Sequence, residues 1–416
     1  MADDPSIQDN GWGSYLPWLI LVRCFRIATS VRMLLLGAGG AVANAAGWRI
    51  LWNLLGGSQD PVISDLRDGI GPDTPWPEWP WQMWEGVYAS NLLASPWTTI
   101  QYAVDAATAT VMHYATPFTM MFDEESGFVG FTFGLLCLLW SLLVWSYIGS
   151  AMTRTAALRL CRDEIATWTD VSNFSIAKFP SYFAAPLFSG LGILLAALPV
   201  LIVGFVARLD IGLLLAGLLW PLVLLSGLFM MIIAVGFIFG WPFMWATVST
   251  EGSDAFDALS RSYAYVYQRP LKYLFYAVVA LLLGGLGFIV VGYFVEGVSY
   301  FAYWATDIGA SHERVELMRA YTNQTGVIPD NPGGMAGAGL SLVSFWVSCV
   351  RLLGAGYVIS YVWTAMTAIY LLLRRDIDAT ELDEIYLTDA EATYGLPSLA
   401  ADEGGTAGVP GESDVE

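Results

Sequence analysis

Three ionisable residues interrupt the long apolar runs of this 416-residue chain: Arg49, Glu296 and Arg351. A charge held in hydrocarbon is expensive, so each needs a partner of opposite sign or a route to water. Counted from the ends of their runs, the three fall at similar depth in the outer part of different runs. They form a candidate polar cluster in the outer leaflet, with Glu296 pairing Arg351 or Arg49. Such a cluster suits an anion or a lipid headgroup; a structural ion pair, or side chains snorkelling to the interface, uses the same residues. A second feature is the segment PDTPWPEWPWQMWEGVY, which holds Trp76, Trp79, Trp81 and Trp84. Pro75, Pro77 and Pro80 exclude a regular helix there and favour extended, polyproline-like backbone. Indoles beside Glu78 and Glu85 have the chemistry to stack on a sugar or to cage a quaternary ammonium. The same candidate aromatic surface also reads as an interfacial belt, where Trp partitions preferentially.

Other reactive patterns are missing from the sequence. It contains no G-x-S-x-G, H-E-x-x-H, G-x-x-x-x-G-K-[ST] or EF-hand pattern. The histidines are His113 and His312, and the four cysteines form no C-x-x-C. No catalytic, cofactor-binding or metal-ligating residue is therefore assigned, and the expectation is a protein that is not an enzyme and carries no cofactor. Thirty-seven acidic residues against 18 basic ones give a net charge of −19, which excludes nucleic acid as a partner.

The elements that must position these residues follow from hydropathy. Hydrophobic residues make up 56% of the chain and charged residues 13%, where a soluble domain carries roughly 25% charged. A soluble globular enzyme is excluded, because one soluble core does not hold this much apolar surface. Six membrane spans are read, at about 33–55, 127–152, 182–206, 211–240, 273–298 and 340–372. The fold class is thus all-α, a polytopic integral membrane helix bundle with interfacial amphipathic helices. Arg23 and Arg26 interrupt the run at 11–30, which reads as an amphipathic helix on the membrane surface. Residues 88–122 carry Asp105, His113 and two prolines, and read as interfacial or looped.

Lys and Arg counts orient the chain. With the N-terminus inside, twelve basic residues face inward, including Arg154, Arg159, Arg162, Lys178, Arg261, Arg374 and Arg375. Arg67, Arg208, Arg314 and Arg319, four in all, face outward. The divisions are a cytoplasmic N-terminal region at 1–32, a membrane domain at 33–375 and an acidic cytoplasmic tail at 376–416. The membrane domain includes an outer Trp-rich acidic segment at 56–126 and an outer loop at 300–339. Gly39, Ala43 and Gly47 in the first span, and Gly284, Gly285 and Gly287 in the fifth, are expected at close helix contacts. The run DATELDEIYL, with Asp378 or Thr380 as a cap, is expected to form a short amphipathic helix that docks on a basic surface.

The inner segment DAFDALSRSYAYVYQRPLKYLFY resembles the linker of the six-span membrane domain attached to some bacterial glycerophosphodiester phosphodiesterases. TRTAALRLCRDEI, FPSYFAAPL and LLLRRDIDATELDEIYL resemble uncharacterised multi-pass proteins of planctomycete-type bacteria. The resemblance implies a six-span bundle in the bacterial inner membrane; it carries over neither the phosphodiesterase domain nor its activity. The functional expectation is a membrane scaffold or accessory subunit that engages the lipid bilayer and a protein partner at the cytoplasmic face. The alternative is a transporter or channel for a small solute or lipid headgroup.

Overall fold

The computed structural model describes residues 17–70, 76–82, 101, 112–323 and 334–387. The secondary structure of these residues is helical. In chain order the helices are α1 (Ile20–Ala28), α2 (Val31–Leu55), α3 (Pro61–Ile70), α4 (112–122), α5 (Phe128–Cys161), α6 (Trp168–Val206), α7 (Asp210–Glu251), α8 (Ala255–Gln268), α9 (Pro270–Gly309), α10 (His312–Asn323) and α11 (Gly334–Asp378). Among the described residues six helices, α2, α5, α6, α7, α9 and α11, are long and apolar enough to cross a membrane. They coincide with the six expected spans.

Their lengths exceed what a bilayer needs. At 1.5 Å per residue the 42 residues of α7 reach about 63 Å, roughly twice the hydrocarbon thickness, and α11 has 45 residues. In α5, α6 and α7 the excess over the expected spans lies at the end bearing Arg154, Lys178, Arg261 and Arg374, called inner here for its basic residues, whereas α9 runs past its span at the other end, to Gly309. Local sequence explains why the helices continue. The Thr167 side chain caps α6 at the Asp170 N–H, and Asp254 caps α8 at the N–H groups of Phe256 and Asp257. Helix α6 therefore starts in the polar inner segment, well before its apolar run begins, while α8 is a separate helix that ends at Gln268 before α9 opens at Pro270.

Prolines do not interrupt α6 or α7, which run straight through Pro180, Pro186, Pro199, Pro221 and Pro242. A proline frees the carbonyl four residues earlier. For Pro186 that carbonyl belongs to Tyr182, and Trp245 Nε1 donates to it at 2.9 Å. The bond satisfies the freed acceptor and ties α6 to α7.

Two packing regimes result. At the inner end one core holds Trp145, Met152, Tyr182, Phe243, Trp245, Tyr265, Trp363 and Tyr370 from α5, α6, α7, α8 and α11. Toward the other end the helices separate into pairs. In the most apolar stretches of α6 and α7 only 6% of residues are buried, against 44% in α2. The α6–α7 hairpin is thus an arm, held together by contacts such as Ser226 Oγ donating to the Ala196 carbonyl.

Helix α1 has the expected amphipathic face, with Leu21, Cys24 and Ile27 buried and Arg26 exposed. That face is covered by protein: α1 packs on α11, with α9 and α5 alongside. The surface-lying helix expected over 11–30 is therefore an inner extension of the bundle across 20–28, while residues 11–16 lie outside the described part. The glycine contacts also differ from the expected ridge. Gly37 meets Gly356, where a Cβ on either would come within 2.5 Å of opposing backbone, and Gly47 lies on the Trp140 ring. Gly39 faces open space. In α9, Gly284 and Gly287 receive the rings of Tyr361 and Tyr357, whereas Gly285 contacts nothing.

Candidate functional site

The expected outer cluster is divided in the structure. Glu296 on α9 and Arg351 on α11 face one another, with Arg351 Nε 4.0 Å from Glu296 Oε1 and both side chains buried. Arg351 Nη2 donates to Asn323 Oδ1 at 2.6 Å, which fastens the end of α10 to the pair. Among the described residues Glu296 Oε1 and the Nε and Nη1 of Arg351 have no hydrogen-bond partner. Arg49 is engaged elsewhere. Its Nη2 donates to the Pro77 carbonyl at 3.1 Å and its guanidinium lies 4.3 Å over the Trp79 ring.

The tryptophans follow Arg49. Trp76 is 5% exposed and stacks on Trp48 with ring centroids 5.2 Å apart, in a cluster with Trp52 and Phe133. Trp79 and Trp81 stack on each other at 5.0 Å. The cation on the Trp79 face is thus the chain's own Arg49. Trp84 lies outside the described residues. His113 packs on Trp48 and Tyr114, and this burial pushes its pKa down to about 4, so the ring is neutral at physiological pH.

The densest polar arrangement lies at the opposite, inner end, where α5 and α7 run past the expected spans and meet the end of α11. Arg154 on α5 is fully buried. Its Nη1 donates to the Ser249 carbonyl at 2.6 Å, its Nη2 to the Tyr386 carbonyl at 2.8 Å, and its guanidinium lies over Phe174. Beside it Ser249 Oγ bonds Thr153 Oγ1 and the Tyr182 hydroxyl at 2.6 and 2.7 Å. Glu251, at the end of α7, accepts from the Tyr370 hydroxyl at 2.6 Å and pairs with Arg261 Nη1 at 2.9 Å and Arg374 Nε at 3.4 Å. Arg261 also holds Asp257 on its own helix and Asp378 at the end of α11. The Tyr265 hydroxyl donates to Asp378, and this carboxylate together with burial raises the Tyr265 pKa.

Residues 381–387 complete this end as a non-helical strap, which turns at Leu382–Asp383, where the Glu384 N–H donates to the Glu381 carbonyl. The chain leaves α11 at Asp378 and reverses at Ala379, whose φ of 55° lies in the left-handed region. Tyr386 N–H donates to the Thr250 carbonyl at 2.7 Å, and Arg374 Nη1 donates to the Glu384 carbonyl at 2.9 Å. Leu382 packs on the main core, and Ile385 sits against Ala157 and Leu158. The amphipathic helix expected over DATELDEIYL is therefore not formed in 380–387. Of the expected docking surface bearing Arg159, Arg162 and Arg261, Arg261 reaches this segment, at Asp378, and the strap itself is held by Arg154 and Arg374. Arg374 is 6% exposed and belongs to this network, not to the headgroup layer. An open cavity of about 390 Å3 adjoins the strap, lined by Glu251, Arg261, Arg374, Thr380 and Glu384 among others.

Sequence reasoning counted Arg154 as an inner charge, placed Tyr386 on the apolar face of the expected tail helix, and passed over Ser249 and Glu251. A signal was present: GSAMTRT at 149–155 and ATVSTE at 246–251 are matching runs of small and hydroxyl residues at the inner ends of two apolar helices. Among the described residues no group of three His, Cys, Asp or Glu is placed to hold a metal ion.

No family model, curated protein or solved structure matches the chain. Fold and composition define its class directly: a multi-pass, all-α membrane protein in contact with the lipid bilayer.

Proposed function

We infer that the protein is a non-catalytic membrane scaffold or accessory subunit, with both termini in the cytoplasm of a bacterial cell and its partners bound at the inner end. The observation that carries this reading is the overshoot. Extensions of α5, α6 and α7, with the end of α11, α8 and the strap, form a packed body beyond the bilayer whose buried charges are tied to backbone carbonyls and to one another. Charges anchored in this way fix a shape; a transport site needs charges that exchange partners with the solute. Exposed groups such as Phe256, 71% accessible on α8, are presented on that body.

The orientation rests on the excess of basic residues at this end. A photo-crosslinking residue at Phe256, in the full-length protein in native membrane, is expected to capture a discrete protein. Capture of lipid alone would reject the scaffold.

A transporter is favoured by one observation, the Glu296–Arg351 pair with its unpartnered atoms. Solute uptake by proteoliposomes, abolished by Arg351→Met, would establish that reading instead.

A further inference from the structure

We propose that the strap fills a peptide-binding groove, and that the groove accepts in its place an extended partner segment with acidic residues ahead of an aliphatic–aromatic pair. This rests on the scaffold reading and names the partner's chemistry.

The groove is recognisable from how the strap sits in it. Much of the recognition is directed at main chain. The carbonyls of Glu384 and Tyr386 are held by Arg374 and Arg154, and the Tyr386 N–H by the Thr250 carbonyl. Contacts of this kind fix an extended backbone, and pockets for individual side chains supply the selectivity. The pockets here are specific. Ile385 is 9% exposed against Ala157 and Leu158. The Tyr386 ring lies against Phe174, with Lys178 5.8 Å from its centroid. Gly252 forms the floor of the aromatic pocket: a Cβ there would come within 2.6 Å of the Tyr386 ring.

Two features make the strap exchangeable. It joins α11 through Ala379, held in a left-handed conformation that L-residues other than glycine adopt at a cost. The sequence from 378 onward, DATELDEIYL, also carries helical periodicity, so continuing α11 is a competing conformation that relieves Ala379 and vacates the groove. Tyr386 is 45% exposed and the 390 Å3 cavity opens beside the strap, which gives an incoming segment access before the strap has left. The acidic character of the incoming segment is that of the strap it replaces, in which Glu381, Asp383 and Glu384 lead into Ile385 and Tyr386.

The test uses a fluorescein-labelled synthetic peptide of residues 380–390, TELDEIYLTDA, with protein in lipid nanodiscs and anisotropy as the readout. Intact protein is compared with the full-length Ile385→Asp/Tyr386→Ala variant and with a chain ending at Asp378. Saturable binding to both released forms is expected, at least tenfold tighter than to intact protein. A peptide carrying the same two substitutions is expected not to bind. The absence of saturable binding to folded released forms, or equal binding to intact protein, would overturn the proposal. Failure of both released forms to fold would overturn it too, since the strap would then be an integral part of the core. A protein crosslinked at Phe256 without peptide binding would leave the scaffold standing and remove only the groove. If tagged and untagged copies co-purify only from the released form, the partner segment comes from a second copy of this chain.

Discussion

At the scale of single residues, the pairing of Glu296 with Arg351 was legible and the direction taken by Arg49 was not. Arg49, Glu296 and Arg351 were placed at one level by counting along their runs, but Arg49 points toward Pro77 and Trp79 while the other two face each other. The orphaned atoms of the Glu296–Arg351 pair give it a definite mutational signature. Arg351→Met leaves a buried carboxylate unpaired, and a loss of about 3–5 kcal/mol is expected. The double change Glu296→Gln with Arg351→Met removes both charges and should recover most of that loss. Thermal unfolding in detergent measures both; equal losses would show that the pair does not act as a unit.

His113 offers a pH test at the same scale. Its folded pKa is depressed to about 4 from an ordinary 6.5, so between these values the unfolded chain binds a proton that the folded chain does not. The contribution is complete above pH 6.5 and is lost as pH falls toward 4, by on the order of 2 kcal/mol for a ring that is not wholly buried. Unfolding midpoints at pH 7.5 and 4.5 should differ more for the native protein than for His113→Phe. Carboxylates titrating nearby affect both proteins alike, so the comparison isolates the histidine.

At the scale of elements, apolar runs marked where each span lies but not where its helix ends. Hydropathy falls away at the interface, while backbone hydrogen bonding continues to the helix boundary, set at the start of α6 by the Thr167 cap and at the end of α7 by left-handed Gly252. The strap was misread for a related reason. Residues 378–387 have helical periodicity, and what overrides it is tertiary: buried pockets for Leu382 and Ile385 and the arginines beneath the carbonyls. Neither is visible from local sequence.

Small residues show the same division. Spacing alone pointed to Gly39, Ala43 and Gly47, yet the backbones of α2 and α11 meet at Gly37 and Gly356. A Cβ at Gly356 would stand 2.5 Å from the Leu34 carbonyl, and backbone yields less readily than a side-chain end. Gly356→Ala is therefore expected to separate α2 from α11 and cost about 1–3 kcal/mol. Gly39→Ala adds a methyl where nothing lies within 4 Å, and is expected to be neutral or slightly stabilising. Comparison of the two midpoints checks the assignment; the reverse order would contradict the packing.

At the scale of the whole molecule, the two ends of the bundle are built differently. One end gathers Arg154, Lys178, Arg261, Lys272, Arg374 and Arg375 over a dense aromatic core, and the other carries Arg208 on the tip of an arm whose sides are exposed. A translocating chain retains Lys and Arg on the cytoplasmic side when the loops are short. The α6–α7 connection is only Ala207, Arg208 and Leu209, so little sequence there can offset the bias. The arm tip should then face away from the cytoplasm, and α8 should face it. In a background with Cys24, Cys137, Cys161 and Cys349 replaced, Arg208→Cys should react with a membrane-impermeant maleimide on intact cells, and Phe256→Cys only after lysis. Both positions are suited to the measurement: Phe256 is 71% exposed, and Arg208 is exposed with its guanidinium resting on Phe205. Reaction of Phe256→Cys on intact cells, with Arg208→Cys protected, would invert the protein. The strap and its groove would then face the outside, where a partner would have to be an extracytoplasmic segment.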